Sequence, residues 1–305
     1  MNLSVIICTH NPRSDYLDRT LAALAAQTLA ADAWELLIVD NRSDVPVAGR
    51  FDLSWRSDVR ILREETLGLT PARLRGIREA AGDLLVFVDD DNLLDPDFLE
   101  VTLRIANERP WLGSWSGQCR PEFEREPPEW TRRYWGNLAL REFDRDVWSN
   151  LPRLAETMPC GTGLCLRKEV AAEYLRLNDE GLRAFQLDRS GHSLLSGGDN
   201  DLAACACSLG LGVGLVSALK LVHIIPDGRL TEDYLARLSE GIAFSSTVLD
   251  HIWGLAVRPR SALGKIADWF RILRVQPPHR QILRAAYRGR DRALAMQAAG
   301  ELEGY

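Results

Sequence analysis

None of the six cysteines (Cys8, Cys119, Cys160, Cys165, Cys205, Cys207) belongs to a CxxC pair, and several lie inside apolar runs where a thiol packs as a small hydrophobe. Reduced thiols and a cytoplasmic setting are therefore expected. No apolar run approaches the roughly 18 residues that a membrane-spanning helix needs. The start, MNLSVIICTHNP, has no basic stretch and too short an apolar run for a signal peptide. Internal repeats and low-complexity segments are absent as well. A net charge of −6, from 37 basic and 43 acidic residues, excludes wholesale nucleic-acid binding.

What is present is the composition of an ordinary globular protein, 46% apolar and 26% charged, in 305 residues that can bury a sizeable core. Charge is unevenly spread. From Arg258 to Arg292 ten basic residues face only Asp268 and Asp291, which leaves the remainder strongly acidic.

The apolar pattern alternates between strands and helices. Leu3 to Cys8, Glu35 to Val39, Val59 to Leu62 and Leu84 to Val88 read as short buried strands. Helices are predicted over Asp15 to Leu29, with Tyr16, Leu17, Thr20, Leu21 and Leu24 on one face, over Thr70 to Ala81, and from Pro96 through Asn107. Such alternation implies an α/β fold with a mostly parallel central sheet flanked by helices. Further on, Met158 to Arg167 reads as a strand entered through a glycine turn, and Leu202 to Leu209 as a helix. Leu215 to Val222 is a strand ending at His223, and Pro277-Pro278 splits the basic tail into two helical pieces.

Ligands of open parallel sheets bind at the carboxyl ends of the strands. Three predicted strands end in polar residues there: Thr9-His10-Asn11, Asp40-Asn41 and Asp89-Asp90-Asp91. Adjacent carboxylates repel and resist desolvation, so three in a row at a buried strand end call for a cation or hydrogen-bond donors. Hard oxygens of this kind suit Mg²⁺ or Mn²⁺ bridged to a diphosphate. A solvated turn capping the next helix is the alternative. An EF-hand is excluded because its fifth position falls on Leu93. A haloacid-dehalogenase-type phosphatase fits poorly, because the triplet does not follow the first strand.

Taken together, SVIICTHN (4 to 11), LLIVDNRSD (36 to 44), the stretch 67 to 100 containing VFVDDDNLLDPD, GTGLCLRKE (161 to 169) and GGDNDL (197 to 202) resemble glycosyltransferase family 2. These enzymes have the GT-A fold and use nucleotide sugars. The resemblance implies a GT-A domain over 1–225, with a Rossmann-like nucleotide-sugar half (1–110) and an acceptor half carrying the base (111–225), followed by a basic helical region (226–305). It also implies a metal-dependent, inverting transfer of sugar from a nucleoside diphosphate, a UDP-sugar first, to a hydroxyl acceptor, saccharide or lipid-linked, in polysaccharide or glycoconjugate synthesis.

Residue by residue, the resemblance places Asp40 on the base edge, where an Asx turn is the local alternative. Thr9 and Asn11 line the nucleotide pocket, Asp89 faces the ribose, Asp91 holds Mn²⁺ or Mg²⁺ as part of a DXD motif, and Asp90 lies between them. Arg73 or Arg75 meets the diphosphate, since guanidinium matches phosphate in a bidentate way. Asp199 takes the acceptor proton, with Asp201 able to share the role because Gly198 stands where the family has glutamate; helix capping is the alternative for this pair. His223 joins the metal or packs at its strand end.

Tryptophans 111, 115, 130, 135 and 148 suit sugar stacking or plain core filling. The tail over 258–292, where Ala262, Ile266, Trp269, Phe270 and Leu273 share a face, suits a peripheral membrane contact, packing on the acidic body or an oligomer contact. Two other functions remain: a decayed nucleotide-sugar binder, for which the missing glutamate speaks, and a sugar-phosphate nucleotidyltransferase, against which the glycine-free loop CTHNPRSD speaks.

Overall fold

The computed structural model describes residues 2–183, 187–191, 193–255, 259 and 261–302. In chain order the elements are β1 (Leu3–Thr9), α1 (Ser14–Ala25), β2 (Trp34–Asp40), β3 (Arg60–Arg63), α2 (Leu69–Glu79), β4 (Leu84–Val88), β5 (Asn92–Leu94), α3 (Phe98–Glu108) and β6 (Leu112–Phe123). There follow β7 (Val147–Ser149), β8 (Leu164–Arg167), α4 (Lys168–Asp179), α5 (Gly198–Ser208), β9 (Gly212–Ile225), α6 (Glu232–Ile252), α7 (Ala262–Arg274) and α8 (His279–Ala298).

One nine-stranded sheet runs β3-β2-β1-β4-β8-β6-β9-β5, with β7 against β9. The first four strands are parallel; beyond them β8 runs antiparallel to both β4 and β6, and β9 is parallel to β6 but antiparallel to β5 and β7. Because side chains alternate across a strand, Val5, Ile7, Leu36, Ile38, Val86 and Val88 enter one core. Ile6, Leu37, Val39, Leu85 and Phe87 enter the other. Helices α1 and α3 cover the first face, with Leu17, Leu21, Leu24, Phe98 and Ile105; α2, α4 and α5 cover the second. Leu235 and Leu238 of α6 and Ile282 of α8 join the first core, so the C-terminal helices share the hydrophobic interior of the sheet domain.

Helix α1 buries Tyr16, Leu17, Thr20, Leu21 and Leu24 but stops at Ala25, short of Leu29. The amide of Thr28 is drawn to the carbonyl of Pro96 at 2.8 Å, which takes the chain off the helix axis. The stretch 158–167 contributes only Leu164–Arg167 to the sheet; the part before it is a turn. Strand β6 carries two glycines and a proline that argue against a strand locally, yet it is held between β8 and β9, where pairing overrides propensity.

Candidate active site

Parallel register sets the site. Thr9 pairs with Asp40 and Ile7 with Val88, so β1 and β2 end at one level and the triplet that follows β4 comes beside the end of β1. A cleft of about 310 Å³ opens there. Thr9, Arg73, Asp89, Asp90, Asp91, Asp199 and His223 all line it.

The short strand β5 explains how His223 arrives. It pairs Asn92 with His223, and the amide of Ile224 donates to the Asp91 carbonyl at 2.9 Å. His223 Nδ1 donates to the carbonyl of Leu138 at 3.1 Å, which fixes the ring. Its Nε2 lies 3.4 Å from Asp91 Oδ1. The guanidinium of Arg229 lies beside both groups, 3.0 Å from His223 Nε2 and 3.0 Å from Asp91 Oδ2. A carboxylate and an imidazole nitrogen thus converge on the positive charge of Arg229.

Electrostatics within the triplet differ by position. Burial pushes Asp91 up, but His223 and Arg229 more than offset it and hold the carboxyl far below its ordinary range. Burial, and then the charge of Asp91, push Asp90 up to about 7 against the opposing hydrogen bond from Thr9 Oγ1. Asp89 is raised by the same two causes in the same order. Within the triplet, ionisation is therefore favoured at Asp91 and opposed at Asp89 and Asp90.

Arg73, also in the lining and only 5% exposed, donates to Asp188 Oδ2 at 2.8 Å. Burial works against its charge, but Asp188, Asp199 and Asp89 outweigh that and raise its pKa. Asp199 sits in the first turn of α5, and its Oδ2 accepts the amide of Gly161 at 2.6 Å. Its other oxygen has no hydrogen-bond partner among the described residues, as a proton acceptor at a cleft wall requires.

Other expected site residues lie elsewhere. Asp40 stands outside the cleft lining: its carboxylate accepts from the amides of Ser43 (2.9 Å) and Val47 (3.1 Å) and from Arg63 (2.9 Å), an Asx-type turn. Asn11 is exposed and bonds Asp44 Oδ2 at 3.0 Å. Arg75 pairs with Glu79 along α2, so of the two arginines Arg73 alone reaches the cleft. Asp201 is buried on Arg183 Nε (2.8 Å) and Trp253 Nε1 (2.8 Å), away from the cleft. None of the five tryptophans lines it either; Trp115 is fully buried, while Trp111 and Trp148 pack together with ring centroids 6.4 Å apart.

Sequence reading missed Asp188 and Arg229. Strand β9 runs past His223 to Ile225, and Arg229 follows His223 by six residues, a spacing that carries meaning only once the chain turns at Pro226. Nothing in the local sequence marks Asp188.

A family model described as glycosyl transferase family 2 matches residues 4–174. The putative glycosyltransferase EpsH of Bacillus subtilis is 29% identical over 108 residues, which is 35% of this chain and 30% of that protein. A validoxylamine A glucosyltransferase of Streptomyces hygroscopicus subsp. jinggangensis is 36% identical over 104 residues, 33% of this chain and 24% of that one. The matched stretch therefore spans less than a third of either relative. Among solved structures, S. aureus TarS 1-349 in complex with UDP-GlcNAc superposes with a TM-score of 0.55 at 16% identity, covering 100% of this chain and 89% of the other.

Proposed function

Because this chain belongs to glycosyl transferase family 2, with the GT-A architecture it shares with the S. aureus protein, we propose that it transfers a sugar from a UDP-sugar to a hydroxyl acceptor with inversion. The observation that carries this reading is one cleft, at the carboxyl ends of β1 and β4, lined by the triplet, His223, Arg73 and Asp199.

In this reading the donor's diphosphate lies between Arg73 and the triplet. Arg73 is preorganised by burial and by Asp188, so it meets phosphate oxygens with little further ordering. Asp91 and His223 would hold Mn²⁺ or Mg²⁺, which supplies charge stabilisation to the leaving diphosphate. Among the described residues no three His, Cys, Asp or Glu side chains converge on one metal position, so such an ion would need further ligands from outside the protein. Asp199 takes the acceptor hydroxyl's proton as its oxygen attacks C1 from the face opposite the departing UDP. The anchored Oδ2 keeps the carboxylate oriented while Oδ1 receives the proton.

The acceptor is a saccharide or a lipid-linked hydroxyl, as in polysaccharide or glycoconjugate synthesis. Among the described residues no helix is long and apolar enough to cross a membrane. Leu263, Ile266, Trp269, Phe270 and Leu273 of α7 are exposed beside Arg271 and Arg274, which supports a peripheral contact with an anionic bilayer. Arg258 and Arg260 of the basic stretch lie outside the described residues, as do the side chains of Ala262 and Lys265.

Isothermal titration with UDP, with and without Mn²⁺, tests the donor site. Metal-dependent binding that disappears in Asp91→Ala is expected, and an inverted product anomer by NMR. Absence of UDP binding under both conditions refutes the donor site, and a retained anomer refutes the role of Asp199.

A further inference from the structure

We propose that Asp188 is a positioning residue for the donor-binding arginine and the base-bearing helix, and that it takes over the place a side chain at position 198 would fill. The inference rests on the donor reading of the cleft. Asp188 is 5% exposed, and its carboxylate makes three contacts: Thr70 Oγ1 at 3.0 Å, Arg73 Nη1 at 2.8 Å and the amide of Gly198 at 3.2 Å. It therefore ties Thr70 in the first turn of α2 and Arg73 in the next turn to the first turn of α5, where Asp199 sits. A Cβ added at Gly198 would lie 2.2 Å from Asp188 Oδ2 and 2.4 Å from its Cγ. A side chain there would have to displace that carboxylate.

The segment bearing Asp188 is itself anchored on both sides. The amide of Leu69 donates to the Arg189 carbonyl at 3.1 Å, and Leu187 packs with Phe244, Val248 and Leu249 of α6. The carboxylate is thus delivered to Arg73 by a part of the chain remote from the Gly-Gly-Asp motif. Gly198 replaces the glutamate of the resemblance, but a carboxylate has not been lost: it arrives from position 188, against the same helix end. A buried guanidinium needs such a partner, because an unpaired cation at this depth is strongly destabilising. The arrangement also holds Arg73 beside Asp199: a Cβ at Gly161 would lie 3.0 Å from Arg73 Nη2 and 3.1 Å from Asp199 Oδ2.

A reciprocal cycle tests the inference with Asp188→Ala, Gly198→Glu and the double variant, read by thermal melting and by UDP titration in Mn²⁺. Each single variant is expected to lower both the melting temperature and UDP affinity. The double variant, in which a carboxylate reaches Arg73 from position 198, is expected to recover UDP affinity to within about 3-fold of the unaltered chain, the coupling a shared site demands. A double variant no better than Gly198→Glu overturns the inference, as does an Asp188→Ala chain indistinguishable from the original. Recovery of melting temperature without recovery of UDP affinity reduces Asp188 to a structural tie and overturns the positioning role. If the unaltered chain binds no UDP, the donor reading fails and the positioning role falls with it. In that event the melting arm still decides whether positions 188 and 198 share one place.

Discussion

Replacing Arg229 by Met separates a cation position from an ordinary ion pair. Arg229 Nη2 lies 3.0 Å from Asp91 Oδ2, with the arginine side chain 22% and the aspartate 5% exposed. At an effective dielectric of about 20 that separation corresponds to roughly 5.5 kcal/mol of gross attraction. Desolvation of the guanidinium offsets part of it, and removal of one partner of a buried pair costs about 3–5 kcal/mol. At about 2 °C per kcal/mol for a chain of this size, the melting temperature should fall by roughly 6–10 °C. Met fills much of the space, so the loss is of charge more than of volume. Asp91 Oδ1 and His223 Nε2, 3.4 Å apart, then face each other without the guanidinium. A divalent ion no longer competes with it, so Mn²⁺ should raise the melting temperature of Arg229→Met more than that of the unaltered chain. Differential scanning fluorimetry across a Mn²⁺ series measures both effects. An equal response to Mn²⁺ in the two proteins would refute the argument that Arg229 marks the metal's place.

Three further outcomes follow from the geometry. Asp199→Asn should lower transfer by about 10²–10⁴-fold, the range of a lost general base, while leaving UDP affinity within a few-fold; parallel loss of both would move Asp199 from the base role to donor binding. Asp201→Asn should act on stability, by about 3–5 kcal/mol, because Arg183 loses its buried partner; denaturant unfolding checks this, and loss of turnover in a stably folded variant would return Asp201 to the chemistry. Burial raises the Asp40 pKa, but the hydroxyl and amide of Ser43, the Val47 amide and Arg63 outweigh it and lower the pKa below the ordinary 3.8. Its contribution is therefore present above about pH 4 and lost as pH falls through the depressed folded value. Asp40→Asn should unfold more readily at neutral pH and show a flatter acid limb in a pH series of melting temperatures, whereas unchanged curves would count against the turn's dependence on that charge.

Sequence alone determined the elements whose signals are local. β1, β2 and β4 are legible because each is a short apolar run whose alternate residues must enter two cores, and α1 because its apolar residues fall on one helical face. The polar residues that end those strands identified the triplet, since three carboxylates at a buried edge are costly without a partner. Only the tertiary structure decided which groups meet them. Pairing of β5 with β9 brings His223 to Asp91 across more than a hundred residues, and the turn after Pro226 brings Arg229 onto both. Helix rotation sends Arg73 inward and Arg75 to Glu79, although two positions apart they look equivalent in the chain. Asp201 pairs with Arg183 and Trp253, while Asp199, two residues away on the same helix, meets the cleft. Strand 112–123 and the carboxylate of Asp188 were invisible for the same reason. Their stability comes from contacts with residues distant in sequence, and no local propensity or spacing encodes a partner that only the fold brings near.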